Sequence, residues 1–127
     1  MTLNDKTGAQ VHVENTGQGT ARTAVSIFID GNNQPVGHAF YVDNPQNSSE
    51  RIFYHTEVDE AFGGRGLAGI LVRQSLEQAQ ENNLTVVPLC PLFKRHLDKH
   101  GEEYTEGGGA FRPATSKDIT LVESALS

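Results

Sequence analysis

The sequence of 127 residues holds one cysteine, one methionine and no tryptophan. A lone thiol, Cys90, cannot close an internal disulfide, so it is either a small buried apolar residue or a working thiol. No apolar run is long enough to cross a bilayer, and the opening "MTLNDKTGAQ" lacks the basic and apolar regions of a signal peptide. A cytoplasmic protein with no membrane partner is the expectation. Basic charge is also scarce: 10 Lys and Arg stand against 16 Asp and Glu, a net charge of -6. That balance argues against nucleic acid as the main partner, because phosphate-backbone binding rests on clustered cations. A small anion is still within reach of Lys94, Arg95 and Lys99, or of Arg65 and Arg73 elsewhere. Internal repeats are absent.

What is present reads as one domain, with 36% hydrophobic and 20% charged residues. Residues 1–9 are polar and expected to be flexible. The segments 10–16, 21–30, 36–43 and 50–58 alternate apolar and polar residues and are separated by short Gly, Asn and Pro turns, which predicts an antiparallel meander. From Gly66 to about Asn82 the apolar residues Ala68, Leu71, Val72, Leu76 and Ala79 recur at helical spacing. "TVVPLC" (85–90) is a further strand, unpaired on one side near Pro88 because proline cannot donate to the ladder. Pro91 opens a second helix that Gly101 is expected to end near His100. Residues 105–127 have no clear period and are expected to be partly mobile, with "ITLVESAL" a last strand or short helix. The whole is an α+β fold: a mixed sheet of about five strands with two main helices, its domain running from 10 to 104.

Strand 50–58, the helix and strand 85–90 form a crossover, so the two strands run parallel and bring the glycine run Gly63, Gly64, Gly66 and Cys90 to one sheet edge. Such edges bind ligands. The glycines before a helix suit either a turn or a phosphate cradle. A helix dipole contributes about 1 to 2 kcal/mol where micromolar binding needs about 8, so an exposed strand edge must add contacts to an amide-bearing ligand. "GRGLAG" matches a dinucleotide fingerprint in spacing, but the preceding strand belongs to a meander and no acidic residue follows about 20 positions on.

"HTEV", "FGGRGLAGILV", "VVPLCPLFKRHLDKH" and "EEY", in this order and spacing, resemble the small GNAT-type acetyltransferases, the bacterial YjdJ-like group, over about Arg22 to Tyr104. The resemblance implies a GNAT-like sheet and acetyl-coenzyme A as cosubstrate. It implies pyrophosphate binding by the backbone of Gly63, Gly64, Arg65, Gly66, Leu67 and Ala68, and pantetheine lying along Thr56, Glu57 and Val58 where two strands splay. Two departures stand out. The superfamily pattern places Gln or Arg where this chain has Gly63, and Gly101, Glu102 and Glu103 make the ending before Tyr104 one residue longer than usual.

Acetyl transfer to an amine needs a free nitrogen lone pair, stabilisation of the developing oxyanion and an acid for the leaving thiolate. Residues 91–99 contain no tyrosine to serve as that acid, which leaves Cys90, placed at a helix start where thiolates are favoured. It either protonates the thiolate, accepts the acetyl group itself, or only packs. His55 and Glu57 share one face of their strand with Thr56 on the other, and either can activate the amine or simply sit on the sheet surface. Lys94, with Arg95 and Lys99, either holds the cofactor's 3'-phosphate and adenine or is a solvated face. His96 and His100, four apart, lack a third ligand, and no metal is expected. The acceptor is a peptide, protein or small amine, and a monomer or weak dimer is expected. A non-catalytic acyl-coenzyme A-binding module is the alternative.

Overall fold

A computed structural model describes residues 3–127. Seven strands form one sheet in sequence order: β1 (Leu3–Asn4), β2 (Gln10–Thr16), β3 (Ala24–Ile29), β4 (Gly37–Asp43), β5 (Glu50–Val58), β6 (Thr85–Pro88) and β7 (Ala110–Phe111). The helices are α1 (Leu67–Glu81), α2 (Pro91–Glu106) and α3 (Ser116–Leu126). Strands β1 to β5 pair antiparallel, as the short turns require, and β5–β6 and β6–β7 are parallel. The expectation of about five strands and two helices is corrected to seven and three among the described residues.

The additions lie at both ends of the chain. Asp5 folds "DKTGA" into a tight turn by accepting from the Thr7 and Ala9 amides and the Thr7 hydroxyl, which pairs Leu3 with Val11 and Asn4 with Gln10. Helix α2 runs through Gly101 rather than ending near His100. Glycine is needed there for packing: a Cβ at Gly101 would lie 2.7 Å from Cζ of Phe111 on β7. The helix ends at Gly107–Gly109 instead, where Gly108 takes φ +102° and Gly109 lies under the Tyr104 ring. "ITLVESAL" is helical, opened by a Thr115–Asp118 capping box.

Alternation along the strands separates two cores. Phe53 and Val86 pack with Leu71, Leu76, Phe93 and Leu97 of α1 and α2, while their neighbours Ile52 and Val87 pack with Val122 of α3 on the other face. Arg112 fastens α3 to the sheet. Its guanidinium pairs with both Glu50 oxygens at 2.8 Å and with Asp118 at 2.8 and 2.9 Å, a fork geometry only arginine supplies. These bonds hold Glu50 below its ordinary value and Asp118 at about 2.

Candidate active site

Strand β5 is nine residues long and β6 only four, so their pairing stops at Phe53–Pro88. One further bond, Cys90 N–H to Phe53 O at 2.8 Å, turns the chain into α2. Beyond it His55–Val58 keep β4 on one side and no strand on the other among the described residues. The strand expected over 85–90 thus ends at Pro88, and near that proline it has no partner on the β7 side, whose pairing stops at Val86.

A bulge in the β4–β5 ladder at Phe40/Tyr41 leaves Tyr54 as an extra residue. A bulge re-aims the side chains that follow it, and here Thr56 joins Phe53 on the helix face. Thr56 Oγ1 is 3.4 Å from Cys90 Sγ. Cys90 is only 3% exposed and belongs to the same core cluster as the stacked rings of Phe53 and Phe93, whose centroids are 4.3 Å apart. His55 and Glu57 take the opposite face, exposed and 3.5 Å apart, with Arg22 at 3.8 Å from Glu57. The residues expected to share one cleft thus divide across the free part of β5: Thr56 and Cys90 on one side, His55 and Glu57 on the other.

At the carboxyl end of β5 a short 3-10 turn, Glu60–Phe62, leads into the glycine run. Gly64 and Gly66 both have φ +77°, a conformation that L side chains rarely adopt, and around Gly64 there is open space. Gly66 caps α1 without any side-chain bond, and the first return bond comes from Ile70 N–H. The amides of Leu67, Ala68 and Gly69 thus have no helix partner and point out of the helix start. Leu67 itself anchors the turn in the core.

The sequence reading missed what the N-terminal hairpin does here. Lys6 N–H bonds Arg65 O at 2.9 Å, the Lys6 side chain lies over Gly66, and the Arg65 guanidinium reaches Asp5 at 3.4 Å. Lys6, Arg65 and Arg73 line a cavity of about 380 Å³ at the start of α1. The "DKTG" turn was the available signal. Lys94, by contrast, is exposed on α2 beside Asp98 at 3.4 Å and does not line this cavity. Tyr104 is also away from the free strand: its hydroxyl donates to Leu76 O at 2.8 Å, and burial pushes its phenol up to about 12. It locks α2 to α1.

No group of three or more His, Cys, Asp or Glu side chains suited to a metal occurs among the described residues. Nor is any described helix long and apolar enough to cross a membrane.

An uncapped helix start beside a strand that parts from its parallel neighbour defines a site for an extended ligand with an anionic end. A sequence profile of the GCN5-related N-acetyl-transferase family matches residues 24–106, from the first residue of β3 to the last of α2. The chain belongs to that family. It is similar in fold to a GCN5-like protein from Staphylococcus aureus solved by NMR, with 24% identity over 82% of this chain and 90% of that one and a TM-score of 0.51. No curated protein matches it.

Proposed function

We propose that this chain is an acetyl-coenzyme A-dependent N-acetyltransferase of the small YjdJ-like kind, acting on an amine of a peptide, protein or small molecule. The observation that carries the reading is the free stretch of β5 past Phe53, with the uncapped start of α1 at its end. The residues fit the cosubstrate. Open space around Gly64 lets phosphate oxygens approach the backbone from Gly63 to Ala68, and the unpaired edge at Thr56, Glu57 and Val58 suits the amides of pantetheine. Lys6, Arg65 and Arg73 line the cavity beside Gly66 and would attract those phosphates, whereas Lys94 does not line it.

In this arrangement the thioester lies at the gap between β5 and β6. The acceptor comes from the face of His55 and Glu57, whose carboxylate attracts and orients an ammonium. As the new C–N bond forms and the C–S bond breaks, Cys90, held by Thr56, gives its proton to the departing thiolate and regains one from solvent. The test is release of free coenzyme A thiol in the presence of a panel of peptide and small amines. Turnover that falls at least about tenfold in Cys90→Ala and Glu57→Gln, with cofactor affinity kept, is expected. Binding without turnover of any amine would point to the non-catalytic acyl-coenzyme A-binding module. An acetyl mass found on the wild-type chain but not on Cys90→Ala would replace the acid role with an acetyl relay.

A further inference from the structure

Ser26 is an unusual residue for its place. It sits in the middle of β3, fully buried among "AVSIFI", where a hydroxyl is costly unless it is bonded. Two partners satisfy it: Thr16 Oγ1 at 2.6 Å and His38 Nδ1 at 2.7 Å. Ser26 is directly opposite His38 on β4, and Thr16 reaches it diagonally from β2, where it pairs with Ala24. His38 is in turn directly opposite Glu57 on β5. The imidazole is further fixed by stacking on Phe40, with centroids 5.2 Å apart. Its other nitrogen, Nε2, makes no hydrogen bond within the protein among the described residues, and His38 and Glu57 line one cavity of about 380 Å³ with Asp59 and Glu60. That cavity lies at the carboxyl end of β5, where Asp59 and Glu60 lead the chain on towards the glycine loop.

We infer that His38 is the base that frees the acceptor amine, with Ser26 and Thr16 as positioning residues that hold its Nδ1–H and leave the Nε2 lone pair facing the cavity. The inference rests on the acetyltransferase reading above. A histidine whose Nδ1 is pinned as a donor presents Nε2 as an acceptor, the tautomer a base requires. The acceptor arrives as an ammonium, attracted by Glu57. One N–H bond breaks as its proton passes to Nε2, the nitrogen lone pair then attacks the thioester carbon, the C–S bond breaks as Cys90 protonates the departing thiolate, and the nitrogen's second proton passes to solvent, from which the Cys90 thiolate regains its own. The imidazolium returns its proton to water.

The charged groups around His38 favour this use. Burial holds the imidazole below its ordinary value, with Glu57 raising it and Arg22 lowering it, which favours the neutral ring. His55, further along β5, is stacked on the other ring of the row, Phe40. It is 56% exposed and its Nε2 is already turned to Glu57, so it is less suited to receive the proton.

Two measurements test this. The first uses the full wild-type chain without any cofactor: long-range proton–nitrogen NMR of the imidazoles is expected to show His38 as the Nδ1–H tautomer, shifting towards Nε2–H in Ser26→Ala. A wild-type His38 that is mainly Nε2–H overturns the inference, whatever the outcome for turnover. The second is the pH dependence of kcat/KM with an amine that is turned over. His38→Gln is expected to lose about a hundredfold in kcat/KM and the ionisation on the acidic limb, with coenzyme A affinity unchanged, while Ser26→Ala loses several-fold with that limb displaced. Retention of the limb in His38→Gln, with its disappearance in Glu57→Gln or His55→Gln, would assign the proton elsewhere. Failure to bind coenzyme A would instead overturn the acetyltransferase reading and leave the tautomer result standing.

Discussion

Arg112 provides a quantitative test of how the C-terminal segment is held. Its partner Asp118 is 1% exposed at the side chain and Glu50 15%, so solvent screens the cluster little. Asp118 is held at about 2, first of all by the Arg112 hydrogen bonds, against an ordinary 3.8. That difference corresponds to about 2 kcal/mol of stability near neutral pH. In Arg112→Met a buried carboxylate also loses the cation it pairs with, for which about 3 to 5 kcal/mol is typical. For a chain of this size about 4 kcal/mol lowers Tm by roughly 10 to 20 °C. Because the folded-state values of Asp118 and Glu50 lie below their unfolded ones, their contribution is complete above about pH 5 and is lost as pH falls towards about 2. Thermal melts of both proteins by circular dichroism should therefore show a large gap near neutrality that narrows in acid. A Tm loss below about 3 °C, or a gap that stays constant down to about pH 2, would refute the reasoning.

Three further outcomes follow from individual contacts. Gly101→Ala should destabilise by about 1 to 2 kcal/mol despite its better helix propensity, since the added Cβ meets the Phe111 ring; Phe111→Leu in the same chain should recover part of the loss in a denaturant melt. Tyr104→Phe should cost about 1 kcal/mol in the same assay by removing the bond to Leu76 O. Asp5→Ala should weaken coenzyme A binding several-fold in calorimetry while leaving α-helical content unchanged, because Asp5 shapes the turn that carries Lys6 and holds Arg65 over the glycine loop.

Much of the fold was legible because local chemistry and the final packing agree. The alternation in 10–16 and 50–58 marks β2 and β5 residue for residue, and the 3.6-residue period finds α1 to within one residue at each end. Gly101 misled because its reason is tertiary: the helix needs a missing Cβ to admit Phe111, and no helix-stop signal distinguishes that from a cap. The strand β7 and the docking of α3 depend on Arg112 reaching Glu50, 62 positions away, which no window of sequence contains. At the site, strand alternation correctly separated Thr56 from His55 and Glu57. The bulge at Tyr54 was not visible, and it is what sets Thr56 against Cys90. Lys6 and His38 were missed for the same reason, since each acquires its setting only when another strand is laid beside it.

Coenzyme A binding at the glycine loop is the central claim. Titration of the isotope-labelled chain with coenzyme A, followed by backbone amide NMR, should move the signals of Gly63 to Ala68 and of Thr56 to Val58 together, in one saturable event. Gly66→Val should weaken that event at least about tenfold with the fold retained, because φ +77° is strained for a β-branched residue. Saturable shifts confined elsewhere, or none at millimolar coenzyme A, would contradict the account.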